Sequence, residues 1–330
     1  MRLAIFLCIF VEIFGMINSV RNTVLGILNK NNYGYISPAD FNQYALQAQL
    51  EIFEDYFASY NKQTLLENAR QSGTDYADMA KPIAEVMEYF LTEDFIVPVI
   101  INNVVNNKFS VPSITTTGSD FFMINKIVAY TKKVTSGTNT ATITPYKLVD
   151  SANNFTSVNV GDIVVNSTDY TSATVVAKDS NTTLSISNDI FTAVGKSYSI
   201  YDKTKISEAE RVSNGKITSL NASLLTAPDT MFPVYTLVGD SINAYPETLI
   251  GYGTLKASYF RYPYPPKWTY TQLTGGEPVF NPSAIGYQDF ELPQEDEYKL
   301  AAKILEYCGI SIREIQVAQY AIAERQKQTM

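Results

Sequence analysis

The fold is decided by the stretch Thr131–Ile200, TKKVTSGTNT ATITPYKLVD SANNFTSVNV GDIVVNSTDY TSATVVAKDS NTTLSISNDI FTAVGKSYSI. Of its 70 residues, 30 are Ser, Thr or Asn, five Lys balance five Asp, and Glu, Arg, Cys and Trp are absent. Polar β-formers alternate there with Val, Ile, Leu and Tyr, as they do in half-buried strands. The pattern predicts a small β-barrel or sandwich at about residues 131–201, with no net charge.

The same period of two continues on both sides of this module. After an extended run from Phe95 to Val105, it predicts a series of strands. The predicted strands are Phe121–Tyr130, Thr140–Val149, Asp162–Asn166, Ala173–Lys178, Thr183–Ser187, Ser197–Tyr201, Val234–Val238, Thr248–Tyr252 and Thr254–Arg261.

Helical spacing of apolar residues dominates the first third of the chain. Ile13–Leu28 and Tyr76–Leu91 are both predicted to be helical. Between them, Ser37 is followed by Pro38 and by Asp40, which is the pattern of a capped helix start. The residues Phe41, Tyr44, Ala45, Ala48, Ile52, Phe53, Tyr56 and Tyr60 then form one broad stripe for burial.

The C-terminal segment returns to helical spacing. Leu292-Pro293 begins one helix, and Gly309 is predicted to end it. Ser311, with Glu314 three residues later, is predicted to cap a second helix. That helix places Ile312, Ile315 and Ile322 among several glutamines, a composition that favours docking on a partner.

Together these patterns predict an α+β protein in three parts. Residues 1–107 form a helical N-terminal unit. Residues 108–265 form a β-rich central region that contains the small β module. Residues 266–330 form an extended strap and a helical C-terminal arm.

The composition excludes most catalytic chemistry. The chain has no histidine, so the commonest general base and metal ligand is missing. It also lacks the Gly-rich phosphate loops and the nucleophile elbow of known enzyme classes. Cys8 and Cys308 are too few for a zinc site and are predicted to be buried thiols. We therefore expect no enzyme activity, no cofactor and no metal.

One segment imitates a calcium-binding loop. Asn29–Asp40 has glycine at its sixth position and lies between two predicted helices. Asp40 is its only carboxylate, and one carboxylate cannot offset the dehydration of a divalent ion. The capping pattern at Ser37 explains the segment without a metal.

An aromatic segment with three prolines follows the last predicted strand. Arg261, Tyr262, Tyr264 and Trp268 lie within eight positions, and Trp268 is the only tryptophan. Aromatic rings beside a cation are typical of interface cores and of sugar-binding platforms. A structural strap across the protein's own β region explains the same residues equally well.

The net charge and the hydropathy of the chain limit the kinds of partner that it can bind. The net charge of −8 disfavours a dedicated nucleic-acid binder. The apolar run Met1–Phe10 is too short to span a bilayer, and Glu12 follows it closely. We interpret this run as a buried helix shared with a neighbouring subunit rather than as an export signal, and we expect no membrane association.

Four motifs resemble structural proteins of tailed phages that infect Bacteroidetes, the crAss-like group. They are Gly34-Tyr-Ile-Ser-Pro-Ala-Asp-Phe41, Val160-Gly-Asp-Ile-Val-Val165, the segment from Tyr262 to Trp268, and the end from Leu292 to Glu314. The resemblance spans roughly residues 10–320. The run Met1–Phe10 departs from the pattern.

The resemblance implies a virion protein of the neck or tail, assembled in the host cytoplasm. Such a protein forms a cyclic ring of identical subunits, contacts the portal protein and adjacent neck or tail ring proteins, and touches the exiting phage DNA passively. The resemblance implies no catalytic residues. The expected interface residues are Arg261, Tyr262, Tyr264, Trp268, Ile312, Ile315 and Ile322. The alternative is a secreted or surface glycan-binding, adhesin-like protein.

Overall fold

The computed structural model describes residues 15–29, 36–70, 80–102, 104–142 and 144–312. About 27% of the protein is helical and 34% is in strands, with helices towards both termini and a β-rich centre of curled sheets. This confirms the predicted α+β class. The buried helix predicted at Met1–Phe10 lies outside the described residues.

The chain folds into two compact units. The helical unit contains the described residues up to Phe90 and those from Tyr262 onwards, and the β unit contains Leu91–Arg261. This grouping differs from the predicted three parts, because the two terminal segments belong to one unit. The first boundary also lies before the extended run that begins at Leu91, since that run pairs with strands of the β unit.

Five α-helices lie in the described part of the chain. They are α1 (Met16–Asn29), α2 (Pro38–Arg70), α3 (Ala80–Glu88), α4 (Asn214–Asn221) and α5 (Glu297–Ile312). All except α4 belong to the helical unit.

The start of α2 matches its sequence pattern. The backbone N–H of Asp40 donates to the Ser37 hydroxyl at 3.1 Å, and that hydroxyl donates to the Asp40 carboxylate at 2.6 Å. Pro38 occupies the first helical position, where its missing N–H costs nothing. Phe41 and Phe53 on this helix are buried, as the predicted stripe requires.

Helix α5 corrects the predicted end of the chain. It continues through Gly309 to Ile312, so Gly309 does not end it and Ser311 does not cap a new helix. Glycine costs a helix about 1 kcal/mol relative to alanine. Helix α5 packs against α1 and α2, and this packing outweighs that cost. Lys303 strengthens the contact, because its Nζ lies 2.7 Å from Glu51 of α2.

Sixteen strands are present in the described residues. In the β unit they are β1 (Leu91–Phe95), β2 (Pro98–Ile101), β3 (Val104–Ser110), β4 (Phe121–Tyr130), β5 (Lys133–Thr138), β6 (Lys147–Val149), β7 (Ile163–Asn166), β8 (Thr171–Ser180), β9 (Thr183–Ile186), β10 (Ser197–Tyr201), β11 (Ile206–Arg211), β12 (Val234–Val238), β13 (Ser241–Tyr245) and β14 (Leu255–Arg261). In the helical unit they are β15 (Tyr270–Gln272) and β16 (Pro278–Phe280).

The larger sheet of the β unit curls until it meets itself. Its strand order is β1-β14-β4-β11-β12-β13-β3-β2. The first and last of these strands are consecutive in the chain, separated only by Ile96 and Val97. Ile96 N–H donates to Leu255 on one side, and Ser110 N–H donates to Val97 on the other. One bent run therefore pairs with both ends of the sheet, and we call the result the large barrel.

The large barrel has an apolar interior. Alternate residues of its strands point inward, as the period of two requires. The buried members are Ile96, Phe109, Val111, Ile127, Ala129, Ala209, Tyr235, Ile242, Ala244, Leu249, Leu255, Ala257 and Tyr259.

The predicted small module is a second curled sheet, inserted between β4 and β11. Its strand order is β5-β10-β7-β8-β9-β6. The chain just after β5 pairs with β6, because Thr140 N–H donates to Val149 at 2.8 Å and Ala141 bridges the same residue. This closes the sheet into a small barrel around its own apolar core.

The two barrels share a small apolar cluster inside the β unit. Phe95 and Tyr252 from the large barrel pack with Val165 and Tyr201 from the small barrel. Gly253 lies at this contact with φ +92°, and a Cβ there would come within 2.6 Å of Val165. The small barrel is therefore packed against its neighbour and not merely tethered to it.

One predicted strand is shorter than expected, with only β6 inside it, and another is absent. Thr140–Val149 is interrupted, because Pro145 cannot donate to a ladder and Tyr146 adopts φ +61°. Thr248–Tyr252 forms turns, with Leu249 N–H donating to Pro246. The strand there is β13, in which buried Ile242 and Ala244 alternate with partly exposed residues, and it was not among the predicted strands.

Candidate interaction surfaces

The aromatic strap, Tyr262–Trp268, lies on the helices of its own unit. The Trp268 ring is only 2% exposed. Its Nε1 donates to Asn18 of α1 at 3.1 Å, and its backbone N–H donates to Asn42 of α2 at 2.8 Å. The Arg21 guanidinium carbon lies 3.8 Å from the ring centroid, within the range of a cation–π contact.

The strap backbone is also tied down at Tyr264. Gln49, which is fully buried on α2, donates from its side-chain amide to the Tyr264 carbonyl at 2.9 Å. The Tyr264 N–H donates to the Glu291 carboxylate at 2.8 Å. The Glu291 N–H in turn donates to the Gln49 side-chain carbonyl at 3.1 Å. These three bonds join the strap, α2 and the chain before α5.

This geometry corrects part of the predicted interface. Trp268 belongs to the interior of the helical unit, so its ring is removed from any partner surface. The strap crosses helices of its own unit, because the polar groups that hold it come from α1 and α2. Tyr262 and Tyr264 are 38% and 36% exposed and stay predicted interface residues, as does Arg261 at the end of β14.

The predicted C-terminal interface lies largely outside the described residues. Ile312 is the final residue of α5. Ile315 and Ile322 fall beyond the described part of the chain. Their docking on a partner stays a prediction.

The most prominent apolar surface of the β unit was not predicted from the sequence. It is the segment Ala222–Pro233, between α4 and β12, which we call the apolar loop. Leu224 and Leu225 are almost fully exposed, and Met231 and Phe232 are 69% and 71% exposed. The sequence signal was present as four large apolar residues interleaved with turn-forming Pro and Asp, but it has no period to detect.

The apolar loop is stabilised by its own hydrogen bonds. The Asp229 carboxylate accepts from the backbone N–H groups of Met231 and Phe232, at 2.9 and 2.7 Å. The Ser223 carbonyl accepts from Thr226 and Ala227. Fixed geometry lowers the entropy that a partner contact must overcome.

The topology of the large barrel explains why this loop exists. Strands β11 and β12 pair in parallel, unlike the other neighbours in that sheet. A parallel pair needs a crossover connection, which α4 and the apolar loop provide. Ile217 of α4 is buried with Val212 and Val234, so the crossover is anchored on the barrel.

A second exposed apolar group lies at the turn between β2 and β3. Ile100 pairs with Val105 and Ile101 pairs with Val104, and all four side chains are exposed. We call these four residues the apolar hairpin. Two such groups on one folded unit are more than the scattered single residues of an ordinary surface.

The small barrel presents a different surface. Its charges pair locally, with Lys147 lying 2.5 Å from Asp179 and Lys196 lying 2.7 Å from Asp169. Hydrogen bonds from these lysines lower the pKa of both carboxyls below the usual range. Paired charges of this kind produce little long-range field.

The described residues contain no arrangement that suggests metal or thiol chemistry. No cluster of three or more potential metal ligands lies among them. Cys308 is buried in α5, and burial raises the pKa of its thiol to about 12. Cys8 lies outside the described residues.

None of the described helices combines the length and the apolar character needed to cross a bilayer.

In comparisons with known proteins, no protein-family model and no curated protein sequence matches the chain.

Proposed function

We propose that this chain is a virion structural protein, a subunit of a head–tail connector ring that links the portal to the tail. The observation that carries the proposal is the apolar loop, which forms hydrogen bonds within itself and exposes four large apolar side chains. A subunit that displays such a loop has a surface built for burial against another chain.

The energy of that burial favours assembly. Complete burial of a Leu, Met or Phe side chain contributes about 1.5–3 kcal/mol. Four such residues on one loop therefore supply a concentrated anchor, the kind of cluster that dominates protein–protein interfaces. Because Asp229 fixes the loop, little conformational entropy is lost on contact.

A ring follows if the apolar loop of one copy meets a different surface of the next copy. Contacts between two different surfaces generate closed rings when the rotation between subunits closes. The apolar hairpin is a second surface of the β unit that suits this role. Within such a ring the exposed strap residues and the C-terminal segment remain to contact the portal or an adjacent neck or tail ring.

The negative net charge of the chain is compatible with a channel through which DNA passes without binding tightly. The net charge is −8, so phosphate groups are repelled on average. A channel through such a ring touches the exiting DNA only passively. The sequence resemblance to structural proteins of crAss-like phages supports a place in the virion, with assembly in the host cytoplasm.

Replacing Leu224 and Leu225 by serine is expected to abolish the oligomer while leaving the subunit folded. Both side chains are almost fully exposed, so the substitutions remove contact area without disturbing a core. Surface substitutions of this kind change stability by only about 0.5 kcal/mol. Native mass spectrometry of the wild type and the variant measures the loss of the ring.

The matched control replaces Val176 and Val194 by serine, since these small-barrel residues are exposed but lie outside the apolar loop. The control variant should retain the oligomer. A wild-type protein that is monomeric in the virion contradicts the proposal. An oligomer that survives in the loop variant shows that the ring uses other surfaces.

Excision of the small barrel is expected to leave the ring intact and to weaken attachment of a neighbouring ring. Thr131 N–H donates to the Lys205 carbonyl at 3.1 Å, so the ends of the insertion already face each other as hairpin partners. Replacing the residues between them, 132–204, with Asn-Gly closes that hairpin with a favoured turn. Circular dichroism tests folding, and native mass spectrometry tests assembly.

The excised protein also carries two substitutions, so that removal of the small barrel does not expose apolar rings. Phe95→Thr and Tyr252→Ser remove rings that the small barrel otherwise covers. The same two substitutions in the full-length chain serve as the control. Collapse of the oligomer in the excised protein alone would show that the small barrel is required for assembly.

A further inference from the structure

A cleft of about 380 Å³ opens between the two barrels of the β unit. One wall comes from β1 and β14 of the large barrel, with Glu93, Asp94 and Lys256. The other comes from the small barrel, with Tyr170 and Ser172 near the start of β8. The volume lies within the range of about 300–1,000 Å³ that ligand pockets occupy.

Three of the polar side chains that line the cleft have no hydrogen-bond partner among the described residues. The side chains of Ser172, Thr174 and Asn188 make no hydrogen bonds there to described residues. Asp94 uses one carboxylate oxygen to accept from Tyr259 at 3.0 Å, and its other oxygen is unused by the described residues. Hydroxyl, amide and carboxylate groups together supply both donors and acceptors.

Asp94 is held in place by a buried network. Tyr259 is fully buried and its hydroxyl also lies 2.9 Å from Ser119 and 3.0 Å from Thr117. This network fixes the loop that contributes Thr116 and Thr117 to the cleft. The acceptor on Asp94 is therefore preorganised for a ligand.

Tyr170 gives an independent sign of function. Its backbone lies in the left-handed region at φ +54°, which is rare for a bulky residue. The ring packs against Tyr252 at a centroid distance of 5.2 Å and lines the cleft. Strained residues that the surrounding structure retains are concentrated at binding sites.

The charge of the cleft narrows the ligand class. Lys256 lies 2.6 Å from Glu93, so the lysine is already neutralised and Asp94 leaves the cleft with a negative balance. An anionic ligand is therefore disfavoured. A ligand with many hydroxyl groups and an apolar ring face matches the donors, the acceptors and the tyrosine.

We infer that this cleft is a binding site for a neutral saccharide, held by Asp94, Ser172, Asn188 and Tyr170. The site lies within one subunit and does not depend on formation of a ring. Ligand binding in the cleft can therefore be measured even with a subunit that fails to assemble.

The test is saturation-transfer NMR and calorimetry with maltohexaose, cellohexaose, mannohexaose and xylohexaose, with sialyllactose as an anionic comparison. At least one neutral oligosaccharide should bind the wild-type protein. The double variant Ser172→Ala/Asn188→Ala should bind it about tenfold more weakly, the loss expected when two hydrogen bonds of ordinary strength are removed. The matched control Ser157→Ala/Asn181→Ala, on exposed residues outside the cleft, should bind normally.

A second variant separates binding from folding. Tyr170→Asn keeps a residue that tolerates the left-handed conformation while it removes the ring. This variant should fold, as judged by its unfolding temperature, and should lose binding. The proposal is overturned if none of the four neutral oligosaccharides binds, if sialyllactose binds as well as they do, or if binding survives in both variants.

Discussion

Replacing Trp268 by alanine will lower the free energy of unfolding of the helical unit by about 3–5 kcal/mol, the cost of removing a large buried aromatic side chain. The ring is stacked on Tyr270 and Phe280, at centroid distances of 5.7 and 5.9 Å. Its loss also removes the aromatic face beside Arg21 and leaves the Asn18 side chain without its indole donor. Urea denaturation followed by far-ultraviolet circular dichroism measures the change.

Two further variants show how much of this loss of stability comes from the hydrogen bond and how much from packing. Trp268→Phe keeps much of the stacking but removes the indole N–H, and should cost about 1 kcal/mol for the hydrogen bond in addition to the loss from imperfect packing. Tyr89→Ala, on a highly exposed residue of the same unit, should change stability by no more than about 0.5 kcal/mol. An alanine variant at Trp268 with nearly wild-type stability would show that the strap is not part of the core.

Replacing Asp289 by alanine will destabilise the helical unit by about 2–3 kcal/mol, because hydrogen bonds to a charged group are among the stronger ones. Its carboxylate accepts from the N–H groups of Gly15, Met16 and Ile17, at 2.9, 3.1 and 2.8 Å. Helix α1 has no acidic residue in its own first turn. Asp289 therefore supplies from a distant part of the chain both the cap and the charge that a helix N-terminus favours.

The amide variant tests the role of the charge. Asp289→Asn retains one accepting oxygen and should lose about half as much stability as the alanine variant. Glu277→Ala, on an exposed acidic residue of the same unit, is the control and should have little effect. Equal stability of the alanine variant and the control, measured by urea denaturation, would refute this capping role.

Local patterns predicted much of the fold. The bounds of β4, β10 and β12 match the predicted strands, and the Ser37 cap begins α2 as expected. These elements succeed because their signals lie within a few residues of one another. The small barrel was also recognised as a module, since its composition differs from that of the flanking chain.

Long-range packing explains what local patterns did not predict. Gly309 is a common helix stop, yet here packing on α1 and α2 continues the helix past it. Tryptophan is a residue type that often anchors interfaces. Here Trp268 is buried instead, because it forms hydrogen bonds with Asn18 and Asn42, which are distant in the sequence. The cleft was missed for the same reason, because Asp94 and Asn188 become neighbours only when the two barrels pack together.

The closure of both sheets in the β unit has a consequence for association. A strand at the rim of an open sheet offers unpaired N–H and C=O groups that recruit foreign strands. In the described part of the β unit, the joined run Leu91–Ile101 and the bridge at Ala141 leave only short unpaired edges of this kind. Association through the β unit is therefore expected to use side chains more than shared backbone ladders. Recognition through side chains can change by one substitution at a time, so partner choice can evolve while the subunit keeps its fold. Because few backbone groups are free to pair, crowded subunits are also protected from growing into fibres.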